Sequence, residues 1–547
     1  MEATNQIYSK LMQLVQQFSK ESNLRKLEHL IVLIALVKMY KNLNKNGGFF
    51  KNCGKMLIRL LKKSSVISQK LTKELQTEAA KTVNQQFEGK PLPKFTSLPS
   101  NGLQEEEILE IMKERKAFDL DPTKGKCWAY VYDHSHKHTE FVTKAHNLFI
   151  HTNALNPMKF ISLRNFEIEI VAMTAKMMNG DPFKCVGSVT SGGSESLLLA
   201  VKTYRDRLHK INPEITEPEL IMCVSGHPAI NKASHYYGVK IVYVESDPKT
   251  FEMRVDQIIE KINKNTCCII ASAPSYPHGI VDPIDQISII SERANIPLHV
   301  DSAIGGFMLP FIEKLGYKIP QFDFRNNGVT SISADVHKYG YSAKGASVLV
   351  FKDSEYRLNQ FYSYTGWPGG IYISPTTLGT RGGGPLAGAW ASMMVLGQDG
   401  FMDVTKKIID GANYIRDEIR KIEELEILGN PVTTIIAFRV KKNQEINIYH
   451  ISDALKDIND WQVENQRFPE CIHISFMPQH VQIKEQFIID LKKAINIVKE
   501  NPKKYAKEGT AAMYGMMGMV PDEEVLEEFM AHFMDSVYKM PSEKANS

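Results

Sequence analysis

The chain has 547 residues, of which 43% are hydrophobic and 23% are charged, so it is long enough for two or three folded units and too rich in apolar residues for a disordered protein. Lys and Arg number 66 against 62 Asp and Glu, and the net charge of +4 supplies no broad basic field for a nucleic-acid backbone. The seven cysteines are scattered without a CxxC pair, which favours a reducing compartment and argues against a zinc cage.

The N-terminal region joins a short apolar run to a strongly basic segment. Residues Leu30–Val37 read LIVLIALV, which is shorter than the roughly 20 apolar residues that a spanning helix needs. Between His29 and Lys73, counting Lys73, there are ten Lys or Arg residues and no Asp or Glu. This asymmetry favours a segment held at an anionic cytoplasmic membrane surface. A solvated basic helix that packs on its own protein is the alternative.

Prolines, glycines and hydrophobic patterning suggest how the chain is divided. Residues 85–105 carry three prolines and two glycines without periodicity, which predicts a linker. We predict a basic helical arm associated with the membrane over residues 1–84, a linker and extension over 85–150, a large domain over 151–385 and a small C-terminal domain over 386–547.

Short apolar runs alternate with helical patterns from Glu106 to about residue 385. The runs predicted to be strands are Ile221–Val224, Lys240–Val244, Cys267–Ala271, Leu298–Val300, Thr330–Ser333 and Ser347–Phe351. Strands separated by helices need crossover connections, so the pattern predicts an α/β fold with a mainly parallel sheet and helices on both faces. Later runs at Thr434–Val440 and Ile472–Ser475, among helical patterns, predict a smaller α+β domain.

A glycine turn precedes an amphipathic helix in the large domain. Residues 189–196 read VTSGGSES, and apolar residues then recur at intervals of three and four, which predicts a helix that begins near Ser194. Gly192 and Gly193 allow a ligand close to the backbone, and the free N–H groups at a helix start favour an anion such as phosphate. Taken alone, the motif is also compatible with a simple turn.

Three other segments place ionisable side chains after predicted strands. Asp301 follows the run PLHV, at the edge where open α/β sheets bind ligands. A buried carboxylate there needs a cationic partner, although an Asp can also cap the next helix. Lys338 follows His337 in SADVHKYGYSAKG, and a partly desolvated lysine can form an imine with a carbonyl. His227, also after a strand, can stack on a ring.

Together these features describe one kind of site. A phosphate cradle, a carboxylate for a ring nitrogen and an imine-forming lysine are the elements that pyridoxal phosphate requires. The histidines at 134, 136 and 138 alternate in HSHKH, but no cysteine or carboxylate pair nearby completes a metal shell. We therefore predict a polar loop there and no metal.

The segments TSGGSES, HVDSAIGGF, SISADVHKYGYSAKG and GGIYISPTTLGTRGGG resemble the sphingosine-1-phosphate lyase family. These are fold-type I pyridoxal phosphate enzymes, in the group that also contains glutamate and aromatic amino acid decarboxylases. The resemblance runs from about Ala129 to residues 511–516. It implies a fold-type I transferase-like architecture, with the cofactor in the large domain. The implied reaction cleaves sphingosine 1-phosphate to phosphoethanolamine and a long-chain aldehyde.

The resemblance also implies an assembly and a location. Members work as homodimers with sites shared between subunits. A short N-terminal membrane segment precedes a catalytic body that faces the cytosol, which places the chain at the endoplasmic reticulum membrane.

The resemblance assigns roles to individual residues. Lys338 is implied as the Schiff-base lysine, Asp301 as the partner of the pyridinium nitrogen and His227 as the ring stacked on the cofactor. The other implied cofactor-binding residues are Gly192, Gly193, Ser194, Ala303, His337 and Thr380, with Thr380 coming from the neighbouring subunit. The implied substrate-binding residues are Tyr132, Asn156, Lys344 and Tyr514. Asn156 stands where the family commonly has a histidine, and asparagine cannot donate a charged hydrogen bond to a phosphate.

Two other functions are compatible with these residues. An amino acid decarboxylase of the same fold would use Lys338 and Asp301 to break the bond to a carboxylate. An inactive membrane-bound scaffold would keep the fold without catalysis. The intact lysine, aspartate and glycine turn argue against the scaffold.

Overall fold

The structure is a computed structural model that describes residues 65–91, 93–502, 504–505 and 523–541. The apolar run Leu30–Val37, the basic segment up to residue 64 and Tyr514 lie outside these ranges. The chain forms two compact units, one of residues 1–120 and 507–547 and the other of residues 121–506. Within the described ranges, every helix falls short of the length and apolar character that a membrane crossing requires.

Helices and strands alternate through most of the described chain. The helices are α1 (Ser65–Gln86), α2 (Glu105–Lys116), α3 (His136–Asn147), α4 (Ile161–Met177), α5 (Gly193–Ile211), α6 (Ala229–Tyr237), α7 (Val255–Lys261), α8 (Ile284–Ala294), α9 (Leu309–Lys314), α10 (Ser354–Arg357), α11 (Gly383–Arg420), α12 (Ile448–Asn459), α13 (Lys484–Glu500) and α14 (Glu523–Tyr538). The strands are β1 (Val186–Thr190), β2 (Glu219–Cys223), β3 (Lys240–Val244), β4 (Thr266–Ser272), β5 (Leu298–Asp301), β6 (Val329–Ala334), β7 (Ser347–Phe351), β8 (Tyr362–Tyr364), β9 (Tyr372–Ser374), β10 (Leu425–Ile427), β11 (Ile435–Val440), β12 (Glu464–Arg467) and β13 (Glu470–Ser475).

The smaller unit contains α1, α2 and α14. Helix α1 packs on α14, and the Thr72 hydroxyl donates a hydrogen bond of 2.6 Å to Glu528. The residues between α1 and α2 form turns and irregular chain, apart from Leu92, which is not described. Prolines at 91, 93 and 99 remove backbone donors from this stretch, so neither helix nor strand can continue through it.

A seven-stranded sheet forms the core of the larger unit. Its strand order is β1-β7-β6-β5-β4-β2-β3, and β7 runs antiparallel to both of its neighbours while the other strands run in one direction. Every residue of β4, β6 and β7 is buried, as expected for central strands covered on both faces. The predicted α/β class with a mainly parallel sheet is confirmed.

The strand predictions hold because most of these strands are short apolar runs. Strands β3 and β7 have the predicted limits, and the other four predicted strands of this sheet differ from theirs by one or two residues. Strand β1 was not predicted, since its sequence VGSVT holds only two strongly apolar residues. Val186–Thr190 forms a strand because it pairs with β7 along its whole length, although its composition alone does not favour one.

The C-terminal part of the larger unit carries a four-stranded antiparallel sheet in the order β10-β11-β13-β12. Helices α12 and α13 pack on each other, and α12 packs on β13. The long helix α11 leads into this part and is interrupted at Gly397, where φ is +55°. This small sheet with its helices is the α+β structure that the sequence predicts.

The prediction of a polar loop at HSHKH is wrong for the residues from His136 onward. Helix α3 begins at His136, with Ser135 as its N-cap, and His138 is buried. The Nε2 atom of His138 lies 3.1 Å from the Tyr341 carbonyl and 3.0 Å from the Ser392 hydroxyl. An alternating polar pattern does not show that one of its histidines has two buried partners far along the chain.

Candidate active site

The sheet gathers the chemical groups at one edge. Strands β1, β2, β5 and β6 run in the same direction, so their carboxyl ends meet there. The glycine turn follows β1, His227 follows β2, Asp301 ends β5, and the segment of Asp335 to Lys338 follows β6. Ligands of open α/β sheets bind at this edge.

The glycine turn packs against Asp335 and His337, which follow β6. Helix α5 begins at Gly193, one residue before the predicted start, and its first turn presents N–H groups that have no acceptor within the helix. A Cβ atom on Gly193 would lie 2.8 Å from both carboxylate oxygens of Asp335, and one on Gly192 would lie 3.4 Å from the His337 ring. Larger residues at 193 would therefore displace Asp335, whereas Ser194 is exposed at the mouth of the turn.

Asp301 is a buried carboxylate with little compensation. Its Oδ1 atom accepts a 3.1 Å hydrogen bond from the Ala303 N–H, and the described part of the chain gives it no ion pair. Burial raises the pKa of Asp301, while the positive potential of His227 opposes that shift. A buried carboxylate that accepts one backbone N–H and has no ion pair would be stabilised in its charged form by one cationic partner.

Lys338 is paired with a different carboxylate. Its Nζ atom lies 2.9 Å from Oδ2 of Asp335, whose side chain is 1% exposed, and the Nε2 atom of His337 lies 3.5 Å from the same oxygen. Burial acts to raise the pKa of Asp335, but the charges of Lys338 and then His337 outweigh it, so this pKa lies below its ordinary value. Lys338 itself is 21% exposed at the edge of the sheet.

The two histidines are held in defined orientations. The Nδ1 atom of His337 accepts the Ala346 N–H at 3.2 Å, and that of His227 accepts the Ala229 N–H at 3.1 Å. With Nδ1 as acceptor, the remaining ring proton is on Nε2 in each neutral histidine. Burial lowers the pKa of His337, although Asp335 opposes this shift. The Nε2 atom of His227 can therefore donate to a bound group, whereas Nε2 of His337 lies 3.5 Å from Oδ2 of Asp335.

Tyr132 and Lys344 form a pair close to this cluster. The Lys344 ammonium lies 4.7 Å from the centre of the Tyr132 ring and donates a 3.0 Å hydrogen bond to the Tyr130 carbonyl. Desolvation of the ammonium, and then the charge of Lys338, lower the pKa of Lys344. Desolvation also raises the pKa of Tyr132. The pair presents one cation and one hydroxyl to an anionic ligand.

Asn156 and Thr380 belong to a separate group. Asn153 donates a 3.4 Å hydrogen bond to the Thr380 hydroxyl, and the Asn153 side chain also accepts the Arg381 N–H at 3.1 Å. Asn156 is exposed and its side chain accepts the Lys159 N–H at 3.2 Å. In the described residues, neither Asn156 nor Thr380 is hydrogen-bonded to Lys338, His337 or the glycine turn.

Sequence reasoning missed two buried carboxylates of this region. Asp335 directly follows β6 just as Asp301 ends β5, so the rule that found one could have found the other. Glu195 accepts the Ser191 N–H at 2.6 Å and the Thr377 N–H at 2.9 Å, which ties the glycine turn to the segment that carries Thr380. The second contact spans 182 residues and left no local signal in the sequence.

A model of the pyridoxal-dependent decarboxylase conserved domain matches residues 131–441. The chain is 38% identical to sphingosine-1-phosphate lyase 1 of Rattus norvegicus over 494 residues, which cover 89% of this chain and 85% of that protein. It is 40% identical to sphingosine-1-phosphate lyase of Arabidopsis thaliana over 474 residues, which cover 85% and 86% of the two chains.

Solved structures show the same relationship. The sphingosine-1-phosphate lyase of Burkholderia pseudomallei superposes with a TM-score of 0.73 at 33% identity, covering 82% of this chain and 98% of that one. A glutamate decarboxylase of Lactobacillus brevis, at 22% identity and a TM-score of 0.64, shares the fold. The chain belongs to the sphingosine-1-phosphate lyase family of pyridoxal-dependent enzymes.

Proposed function

We propose that this chain cleaves the C2–C3 bond of sphingosine 1-phosphate and related long-chain base phosphates, releasing phosphoethanolamine and a long-chain aldehyde. The observation that carries the proposal is the arrangement at the sheet edge. Asp301 is a buried carboxylate that has no ion pair among the described residues and that is acted on by the charge of Lys338. Asp335, the ion-pair partner of Lys338, lies against Gly193 at the start of α5. Relatives that match this chain over most of their length bear the name of that enzyme.

The residues fit pyridoxal 5'-phosphate. Asp301 is a buried anion that accepts one backbone N–H and lacks an ion pair among the described residues, so a protonated ring nitrogen would supply its missing counter-charge. Gly192, Gly193 and Ser194 would hold the phosphate at the start of α5. When bound, the cofactor supplies an electron sink for the pair of electrons left by the broken carbon–carbon bond.

The side chains then have separable tasks. Lys338 would hold the cofactor covalently through its Nζ atom, and Asp301 would keep the proton on the ring nitrogen. His227 would cover one face of the ring and His337 would lie near the phosphate. Tyr132 and Lys344 would bind the headgroup phosphate of the substrate, because they present a hydroxyl and a cation beside the cluster.

We also propose a homodimer in which Thr380 and Asn156 complete the site of the partner subunit. Thr380 is exposed, and its hydroxyl accepts a hydrogen bond from Asn153 rather than contacting the Lys338 cluster. The neighbouring β8 and β9 hairpin exposes apolar side chains that a partner would cover. These include Trp367 at 53%, Ile371 at 77% and Ile373 at 55% exposure.

The N-terminal arm would hold the enzyme at the endoplasmic reticulum membrane with the catalytic body in the cytosol. The apolar run Leu30–Val37 and the ten basic residues that follow it support this placement. The tail of the substrate resides in lipid while its charged headgroup must reach a polar site, so a location at the bilayer surface suits the reaction.

One experiment separates the lyase from a decarboxylase. Purified protein with bound cofactor is incubated with sphingosine 1-phosphate, and the aldehyde and phosphoethanolamine are quantified by mass spectrometry. Equal amounts of both products support the proposal. Release of carbon dioxide from glutamate or an aromatic amino acid, with no aldehyde from the lipid, would show a decarboxylase instead. The variant Lys344→Gln serves as the headgroup control, since it should raise KM for the lipid.

A further inference from the structure

We infer that Asp335 is a positioning residue that keeps the Lys338 side chain charged and in place whenever this lysine is not bonded to the cofactor. The inference rests on the proposed role of Lys338 and adds a carboxylate that the proposed reaction does not use directly. It assigns Asp335 and Asp301 to different cations, the lysine ammonium for one and the ring nitrogen for the other.

The backbone fixes Asp335 from two sides. Its N–H donates to the Ala303 carbonyl at 3.2 Å, which ties it to the chain just after β5. Its own carbonyl accepts the Lys338 N–H at 3.3 Å, so Asp335 and Lys338 lie in one turn. The carboxylate and the lysine are therefore three residues apart on a backbone that hydrogen bonds hold in shape.

The carboxylate has little freedom to move. Its side chain is 1% exposed, and its oxygens lie where a Cβ atom on Gly193 would come within 2.8 Å. The start of α5, at Gly193, adds a favourable dipole for a negative charge. A buried carboxylate held this closely can direct an ammonium at 2.9 Å to one position.

The charge of the cluster explains why two carboxylates are needed. Lys338 contacts Asp335, and the described residues show no ion pair between Lys338 and Asp301. Asp301 is therefore left free for the ring nitrogen. If Asp335 were neutral, the charge of Lys338 would still act on the buried Asp301, and the two roles of Asp301 would compete.

The test measures the reactivity of Lys338 directly in the full chain after removal of the cofactor. The protein is treated briefly with an amine-acylating reagent across a pH series, and acylation of each lysine is followed by peptide mass spectrometry. In Asp335→Asn, the pH of half-maximal Lys338 acylation should fall by about one unit, so that acylation at a fixed pH below the midpoint rises about tenfold. Lys352 in the same digest is the internal reference.

Two controls separate positioning from a general structural effect. Asp323→Asn removes another buried carboxylate that is ion-paired, to Arg325 at 2.8 Å, and should leave Lys338 acylation unchanged. Circular dichroism and reloading with the cofactor show whether Asp335→Asn is folded. In the reloaded variant, kcat should fall at least tenfold while KM changes little, because Asp335 holds Lys338 rather than the headgroup.

The outcomes are distinct. An unchanged acylation midpoint in folded Asp335→Asn overturns the inference, as does an equal shift in Asp323→Asn. If Asp335→Asn does not fold, the same pH series on Gly193→Ala, in which a methyl group must displace the carboxylate, decides in its place. A midpoint that shifts as expected in a protein that releases no aldehyde would support the role of Asp335 and reject the proposed reaction.

Discussion

Asp301 and Asp335 lie at the ends of neighbouring strands, yet their surroundings act on them in opposite directions. Burial raises the pKa of Asp301, whereas Lys338 and His337 overcome the effect of burial and lower the pKa of Asp335. Divergent pKa shifts of neighbouring acids indicate a division of chemical tasks. The difference comes from the contacts of Asp335 with Lys338 at 2.9 Å and with His337 at 3.5 Å, since each aspartate lies at the carboxyl end of a buried strand.

Asp301→Asn tests the ring-nitrogen assignment. The amide is nearly the same size but cannot balance a positive charge, so we expect weaker cofactor binding and turnover reduced by about 100-fold or more. Titration of the cofactor absorbance gives the binding constant, and aldehyde release gives the rate. Asp282→Asn removes a buried aspartate that accepts backbone N–H groups of Ser272 and Met253, and it should leave cofactor affinity unchanged. Normal affinity and turnover in Asp301→Asn would reject the assignment.

Lys338→Ala tests the covalent role. We expect loss of measurable turnover with the fold retained, because the side chain is 21% exposed and fills little of the core. Borohydride reduction of the wild-type holoenzyme should leave the cofactor attached to the peptide that contains Lys338, and the variant should show no such adduct. Lys352→Ala, a lysine bonded to the Asn327 carbonyl, serves as the control. Turnover at the wild-type rate in Lys338→Ala would show that another group forms the bond.

At the scale of elements, the buried His480 makes the stability of the turn before α13 depend on pH. Burial lowers the pKa of His480 to about 4. Its ring stacks on Trp128, with the ring centres 4.0 Å apart. Its Nδ1 atom accepts the Met477 N–H and its Nε2 atom lies 2.9 Å from the Cys127 carbonyl. Because the folded pKa lies below the unfolded value of about 6.5, the contribution of His480 to stability is complete above about pH 6.5 and is lost as the pH falls toward 4.

This gives a pH-dependent prediction for the turn before α13. A shift of this size corresponds to at most about 3 kcal/mol, lost between about pH 6.5 and pH 4. His480→Gln should be less stable than wild type near pH 7, and the gap should narrow as the pH falls, because only the wild type must protonate a buried ring. Urea unfolding at several pH values measures the gap. A gap for His480→Gln that stays constant with pH would contradict the prediction.

At the scale of the whole molecule, the proposed dimer predicts complementation between subunits. Thr380→Glu places a negative charge in the partner subunit's site, where an anionic cofactor is proposed to bind, and should inactivate the homodimer by about 100-fold or more. When it is coexpressed with Lys338→Ala, mixed dimers would contain one site with an intact lysine and an intact partner threonine. We expect about a quarter of wild-type activity, from random pairing of the two chains. Activity no higher than that of the separate variants would place Thr380 in its own subunit's site.

Truncation tests the membrane arm. Residues 1–64 contain the apolar run and eight of the ten basic residues, while α1 begins at Ser65 and packs on α14. Deleting residues 1–64 should move the protein from the membrane pellet to the supernatant and leave cleavage of a soluble short-chain substrate unchanged. Deleting residues 1–86 removes α1 as well and should reduce solubility, because α14 loses its partner. Retention of the shorter deletion in the pellet would reject the arm as the anchor.

The sequence by itself determined the α/β class and the positions of the central strands. Both depend on local composition, since a strand covered on both faces must be a short apolar run such as Ser347–Phe351. It also indicated the three segments of the site, because the glycine turn precedes an amphipathic helix, Asp301 ends an apolar run, and Lys338 lies between two predicted strands. These features are readable because they depend on neighbours a few residues away.

Tertiary structure alone decided which groups meet. The pairing of VGSVT with β7, the burial of His138 and the bond between Glu195 and Thr377 each depend on residues far apart in the chain. The choice of Asp335 rather than Asp301 as the partner of Lys338 was set by the turn after β6 and the space that Gly193 leaves. Contact energies fall off over a few ångströms, so a sequence pattern can nominate charged groups, but the fold has to assign their partners.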